Sequence, residues 1–190
     1  HAVEAKIEDL GANFEYDLPK DKFRQARIAR QVRVTVPVHL APLSWTTFQL
    51  LEGEQEHRDG IYQNGVIDTP FVTVSVDDNI TVYDKTTHEA YEDVLRFEDR
   101  GDIGNEYIYF QPKGTEPIYA ELKGCEVLEN TARFAKILLQ HELTIPVSAD
   151  EKLDAEQRGI IEFMTREAGR SDELTTLPLE TEMTVFVDNP

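Results

Sequence analysis

The chain has 190 residues, 40% of them hydrophobic and 29% charged, a balance that suits a soluble globular domain with a sizeable core and excludes wholesale disorder. Lys and Arg number 19 against 37 Asp and Glu, and the net charge of −18 opposes nucleic acid and anionic membrane, which both demand clustered cations. No apolar run approaches the ~20 residues needed to cross a bilayer, and the first residues lack the basic and apolar segments of a signal peptide.

In chain order, Asp21 to Arg30 holds good helix formers with Phe23, Ala26 and Ile28 to bury, and predicts a helix of a turn or two. From 32 to 38, Val32, Val34, Val36 and Val38 alternate with Arg33 and Thr35, the period-two mark of a half-buried strand. Gly53 to Gly65 is polar enough for a long surface loop. Val72, Val74 and Val76 alternate again. Asp77, Asp78 and Asn79 supply turn chemistry, and Ile80 and Val82 resume the pattern, so a hairpin is expected.

Ile118 to Val127 reads as a weaker strand with a bulge at Gly124. Ala135, Ile137, Leu139, His141, Leu143 and Ile145 occupy every second position and make the strongest strand. Asp150 is a plausible cap for a short helix to Gln157, and Ile160 to Thr165 and Leu179 to Val187 look like further strands. Many short strands with Pro and Gly between them argue for an all-β antiparallel β-sandwich with one or two short helices, forming one domain over 1–190.

The segment 96–110 packs four acids and two glycines together with Tyr107 and Tyr109, where packing alone asks only for a polar turn. Glu98, Asp99, Asp102 and Glu106 are hard oxygen ligands of the kind calcium takes, yet their spacing departs from the EF-hand loop. A solvated acidic turn is the plain alternative. Paired carboxylates could also serve glycoside hydrolysis, but among 37 acids such pairs arise by chance.

The five histidines are scattered without metal-site spacing, which disfavours zinc bound by this chain, and His141 on an apolar strand face is expected to be a hydrogen-bonded core or rim residue. No serine or cysteine nucleophile motif and no glycine-rich phosphate cradle is present. Trp45, Tyr91, Tyr107, Tyr109 and Phe110 offer flat apolar faces that suit a sugar ring or simply a core. Cys125 stands alone, which precludes an intramolecular disulfide and fits a reducing, cytoplasmic setting. His1 in place of an initiator methionine suggests a chain that starts inside a longer gene product.

Residues 74–88 (VSVDDNITVYDKTTH) followed by 91–109 (YEDVLRFEDRGDIGNEYIY) resemble the β-sandwich region of bacterial glycoside hydrolase family 38 α-mannosidases. That family shows a hairpin ending in a lysine-threonine turn, then F-E-D-x-G-D-x-G-D-E-Y. Residues 41–48 (APLSWTTF) are similar to its A-P-L-G-Y-x-T-F segment, and 143–147 and 184–189 resemble its later strands, so the likeness covers most of the chain. Asn105 stands where the family usually has Asp.

The resemblance implies a piece of a galactose-mutarotase-like super-sandwich, cut from a larger retaining enzyme. Its zinc, or another divalent metal, and its nucleophilic Asp would lie in an N-terminal barrel followed by a helical bundle, both absent from these residues. The chain is then expected to be a non-catalytic accessory domain for hydrolysis of mannose-containing oligosaccharides, with no catalytic residue and no metal of its own. Asp99, Asp102, Glu106, Tyr107 and Tyr109 would form a loop facing the substrate or a domain interface. An independent carbohydrate-binding module using Trp45 and Tyr107, and a small autonomous glycosidase using Asp99, Asp102 and Glu106, are the rival expectations. Unpaired strand edges left by excision also predict a homodimer of the isolated chain.

Overall fold

The computed structural model describes residue 3 and residues 5–50, 59–159 and 161–188. They fall into two compact units, residues 1–57 and 58–190.

In the first unit, β1 (Lys6–Asp17) and β2 (Gln25–Thr35) pair as one antiparallel ribbon with a bulge between Asp9 and Gly11. Arg30 donates to Asp9 across the ribbon, and the Gly11 N–H donates to the same carboxylate, so its pKa falls to about 2. The helix expected over Asp21 to Arg30 is not formed: Asp21 sits in a turn at φ 64°, and strand begins at Gln25. Helix propensity there is a weak local preference with three apolar positions to support it. An antiparallel ladder to β1 along eleven residues pairs the inward-facing backbone groups of β2 and wins. The same strand stops at Thr35 rather than continuing to Val38, because Pro37 has no N–H to give to a ladder.

The second unit opens with an antiparallel meander of β3 (Tyr62–Gln63), β4 (Val66–Asp68), β5 (Val72–Val76), β6 (Ile80–Asp84) and β7 (Glu89–Tyr91). Of the loop expected from 53 to 65, positions up to 58 lie outside the described residues, and its end is already sheet. Asn64 (φ 50°) and Gly65 (φ 81°) form the two-residue turn joining β3 to β4, a left-handed pair that Asn and Gly adopt at least cost. Asp77 to Asn79 turns β5 into β6 as expected. β8 (Glu98–Asp99) pairs with β9 (Ile118–Tyr119), and a second sheet runs β10 (Glu121–Asn130), β11 (Phe134–Pro146), β12 (Leu174–Phe186). The pairing of β10 slips between Leu122 and Gly124, where the sequence places its bulge.

The period of β11 explains the core. Ala135, Ile137 and Leu139 are fully buried, and they meet Ile67, Val74 and Ile80 from the five-stranded sheet, so two antiparallel sheets close on one apolar layer as a β-sandwich. Asn130 also ties the sheets at one edge: its carboxamide accepts from the Tyr62 N–H at 3.0 Å and donates to the Tyr62 carbonyl at 2.9 Å. Between β11 and β12 comes α1 (Glu151–Arg158), capped by Asp150, whose side chain accepts from the Lys152 N–H. The strand expected over Ile160 to Thr165 is instead a 3-10 turn at Phe163–Thr165, closed by the Thr165 N–H on the Glu162 carbonyl. Ile160 lies outside the described residues.

Candidate functional site

The acidic segment leaves β8 and folds into a tight excursion before β9. Backbone bonds from Ile103 N–H to the Phe110 carbonyl (2.8 Å) and from Asn105 N–H to the Ile108 carbonyl (3.0 Å) make it a miniature hairpin. Its side chains supply the rest of the folding. Asp102 Oδ1 accepts from the Gly104 and Phe110 amides at 2.7 and 3.0 Å, and Asn105 Oδ1 accepts from the Tyr107 and Ile108 amides at 2.9 and 3.0 Å. These are Asx-type contacts, in which a short polar side chain stands in for a backbone acceptor. Asn105 serves this purpose without a charge. Gly104 is required by space, since a Cβ there would lie 1.8 Å from the Ile108 carbonyl oxygen.

A strap after α1 holds the hairpin from beneath. The Glu156 carboxylate of α1 accepts from the Glu167 N–H at 2.7 Å, and Asp150 Oδ2 accepts from the Gly169 N–H at 3.0 Å. Ala168 is thereby buried, and its carbonyl accepts from the Lys113 N–H. From this fixed strap Arg166 donates to the carbonyl of buried Ile103, and Arg170 forms an ion pair with Asp99. Asp99 and Arg170 side chains are 26% and 10% exposed, so the pair is shielded from water.

The five residues singled out from sequence therefore divide. Asp99 points inward to Arg170, and Asp102 spends one oxygen on two amides. Glu106, Tyr107 and Tyr109 face outward, with Tyr107 87% and Tyr109 55% exposed. Glu98 is bound by Arg100 at 2.9 Å, which holds its carboxyl below the usual range. The oxygens proposed for calcium are thus largely engaged by arginines and amides. Among the described residues no three His, Cys, Asp or Glu side chains converge as metal ligands, so the zinc implied for the larger enzyme finds no fitting donor set here.

Arg166 and Arg170 escape sequence reasoning altogether, since they lie 63 residues from Ile103 and 71 from Asp99 in sequence, and no local spacing relates them. His141 is buried as expected, but its Nδ1 has no hydrogen-bond partner among the described residues; the Phe97 ring meets it edge-on at 5.3 Å, and burial lowers its pKa. A groove of about 420 Å³ beside it is lined by Asp93, Arg96, Tyr119 and Glu121, and none of the five singled-out residues reaches it. Trp45, in the first unit, is 85% exposed. Among the described residues no helix is long and apolar enough to cross a membrane.

Comparison with known proteins gives four concordant likenesses. The sequence profile described as "Glycosyl hydrolases family 38 C-terminal domain 1" matches residues 1–52. A protein of Halalkalibacterium halodurans named "Putative mannosylglycerate hydrolase" is 30% identical over 97% of this chain, which spans 22% of that protein. An α-mannosidase structure from Enterococcus faecalis V583 superposes on the whole chain with a TM-score of 0.79 at 34% identity. A structure from Enterococcus faecalis described as a protein in glycosyl hydrolase family 38 gives 0.76 at 29%. The chain spans 22% and 23% of those two structures.

Proposed function

Because this chain belongs to the C-terminal region of glycosyl hydrolase family 38, we propose that it is a non-catalytic β-sandwich segment of a mannosidase-type enzyme. In this reading the 99–109 loop helps wall the sugar site or the interface with the catalytic domain. The supporting observation is the division of labour in that loop. Its two aspartates are consumed in holding the loop's shape, while Glu106, Tyr107 and Tyr109 are presented outward on a rigid mount. A tyrosine held this way combines a flat apolar face for sugar C–H groups with a hydroxyl for hydrogen bonding, at little entropic cost. A wall needs that combination; a general acid or nucleophile needs a free carboxylate positioned against a second one.

Bond cleavage, the metal and the attacking carboxylate would then come from other domains of the same polypeptide, acting in the cytoplasm on mannose-containing oligosaccharides. The test is kinetic. In the full-length enzyme, Tyr107→Ala is expected to lower kcat/KM about tenfold, the scale of one lost aromatic contact, with an unchanged melting temperature. The isolated 190-residue chain should release no nitrophenol from a nitrophenyl mannoside. Unaltered kinetics in Tyr107→Ala and in a Glu106→Gln, Tyr109→Ala pair would overturn the wall, and turnover by the isolated chain would overturn the non-catalytic reading.

A further inference from the structure

The ribbon of the first unit has two unlike faces. Residues opposite one another in an antiparallel pair share a side, and alternate residues along a strand return to it. Ile7 stands opposite Val34, Asp9 opposite Val32, Phe14 opposite Ile28 and Tyr16 opposite Ala26, all on one side with Ala12 and Arg30. The other side is polar and closed on itself: Arg33 reaches Glu8, Asn13 reaches Gln31 and Arg27 reaches Glu15 across the strands.

On the apolar side Ile7, Phe14, Tyr16 and Ile28 are 61%, 58%, 53% and 77% exposed, and no described residue from 5 to 50 is buried. An isolated two-stranded ribbon is marginal in water, and a continuous exposed apolar strip marks a contact surface. The strip runs roughly 35 Å at the usual rise per residue. Its one charged pair, Asp9 with Arg30, is already joined, so a cover would not leave an uncompensated charge.

We infer that this face, carrying Ile7, Phe14, Tyr16, Ile28, Val32 and Val34, is the inner face of a sheet that packs against an apolar layer supplied by the same enzyme outside these 190 residues. The inference rests on the reading of the chain as a segment of that enzyme. Two findings favour that occupant. The family profile for C-terminal domain 1 is confined to residues 1–52, a stretch whose described residues bury nothing, whereas a domain needs a core shared by two layers. The relatives are also more than four times as long as the stretch they share with this chain, at 22% coverage, which leaves ample chain to supply the layer.

The experiment uses the full-length enzyme. With Ile28→Cys on the inner face and Gln31→Cys on the polar face, thiol labelling at each position is followed by peptide mass spectrometry under native conditions. Ile28→Cys is expected to label at least roughly tenfold more slowly than Gln31→Cys, with the two rates equal in denaturant. Phe14→p-benzoylphenylalanine should cross-link on irradiation to a peptide outside residues 1–190. Equal native labelling would overturn the inference. So would protection that disappears on dilution, which identifies a second copy as the cover, or a cross-link falling within residues 58–190. Protected Ile28→Cys alongside kinetically silent Tyr107→Ala would sink only the sugar-wall reading, so the two failures are separable.

Discussion

Asp99 and Arg170 meet as an ion pair at the base of the loop, drawing together residues 71 positions apart and anchoring the acidic hairpin to the strap behind α1. Neither charged atom makes an aligned hydrogen bond there, so the contact is held by charge and by exclusion of water. Removing one partner strands the other in a poorly solvated place. Arg170→Met is therefore expected to destabilise the second unit by about 2 kcal/mol, less than a fully buried pair loses because Asp99 keeps some contact with water. Urea unfolding followed by circular dichroism measures it. The double variant Arg170→Met, Asp99→Leu should recover most of the loss, and no recovery would mean that Arg170 acts by packing alone.

The Asp102 carboxylate does the work of a backbone acceptor. Asp102→Ala leaves the Gly104 and Phe110 amides without their bond, at a cost of about 1–2 kcal/mol. Amide exchange at 104 and 110 should speed up about tenfold, while Asp102→Asn, which keeps an oxygen in place, should exchange nearly as slowly as the native loop. If the asparagine variant behaved like the alanine variant, the charge rather than the acceptor would be what shapes the loop.

Burial holds the His141 pKa below its ordinary value, so the folded chain keeps the ring neutral at a pH where the unfolded chain already binds a proton. The sign follows from linkage: stability rises with pH up to about 6.5, the unfolded value, and falls as pH drops from there toward the folded pKa. Denaturation midpoints between pH 5 and 8 should show that slope, and His141→Phe, beside Phe97, should flatten it. A slope that survives the substitution would assign it to other groups.

What the sequence discloses depends on whether a residue's partner is near in the chain. β11 is plain because one of its faces is wholly buried, so the period of two is written in every residue from Ala135 to Leu143. The cap at Asp150, the bulge at Gly124 and the turn at Asp77 to Asn79 are local chemistry and equally readable. β1 passes unnoticed because its bulge at Leu10 breaks the alternation that Ala12, Phe14 and Tyr16 would otherwise announce. The helix expected over Asp21 to Arg30 and the strand expected over Ile160 to Thr165 fail for one cause: short stretches lack enough periodic residues to outvote their tertiary surroundings. In the loop, composition marked the place, but the inward or outward role of each residue was fixed by Arg166 and Arg170, which no spacing connects to it.

The clasp between Asn130 and Tyr62 spans 68 residues and spends both ends of one carboxamide on the N–H and the carbonyl of a single residue. It can close only after the first strand of the meander and the end of β10 have each found their place. A contact of that range closes a long stretch of chain at an entropic cost, so it is expected to form late in assembly, after the apolar layer shared by the two sheets.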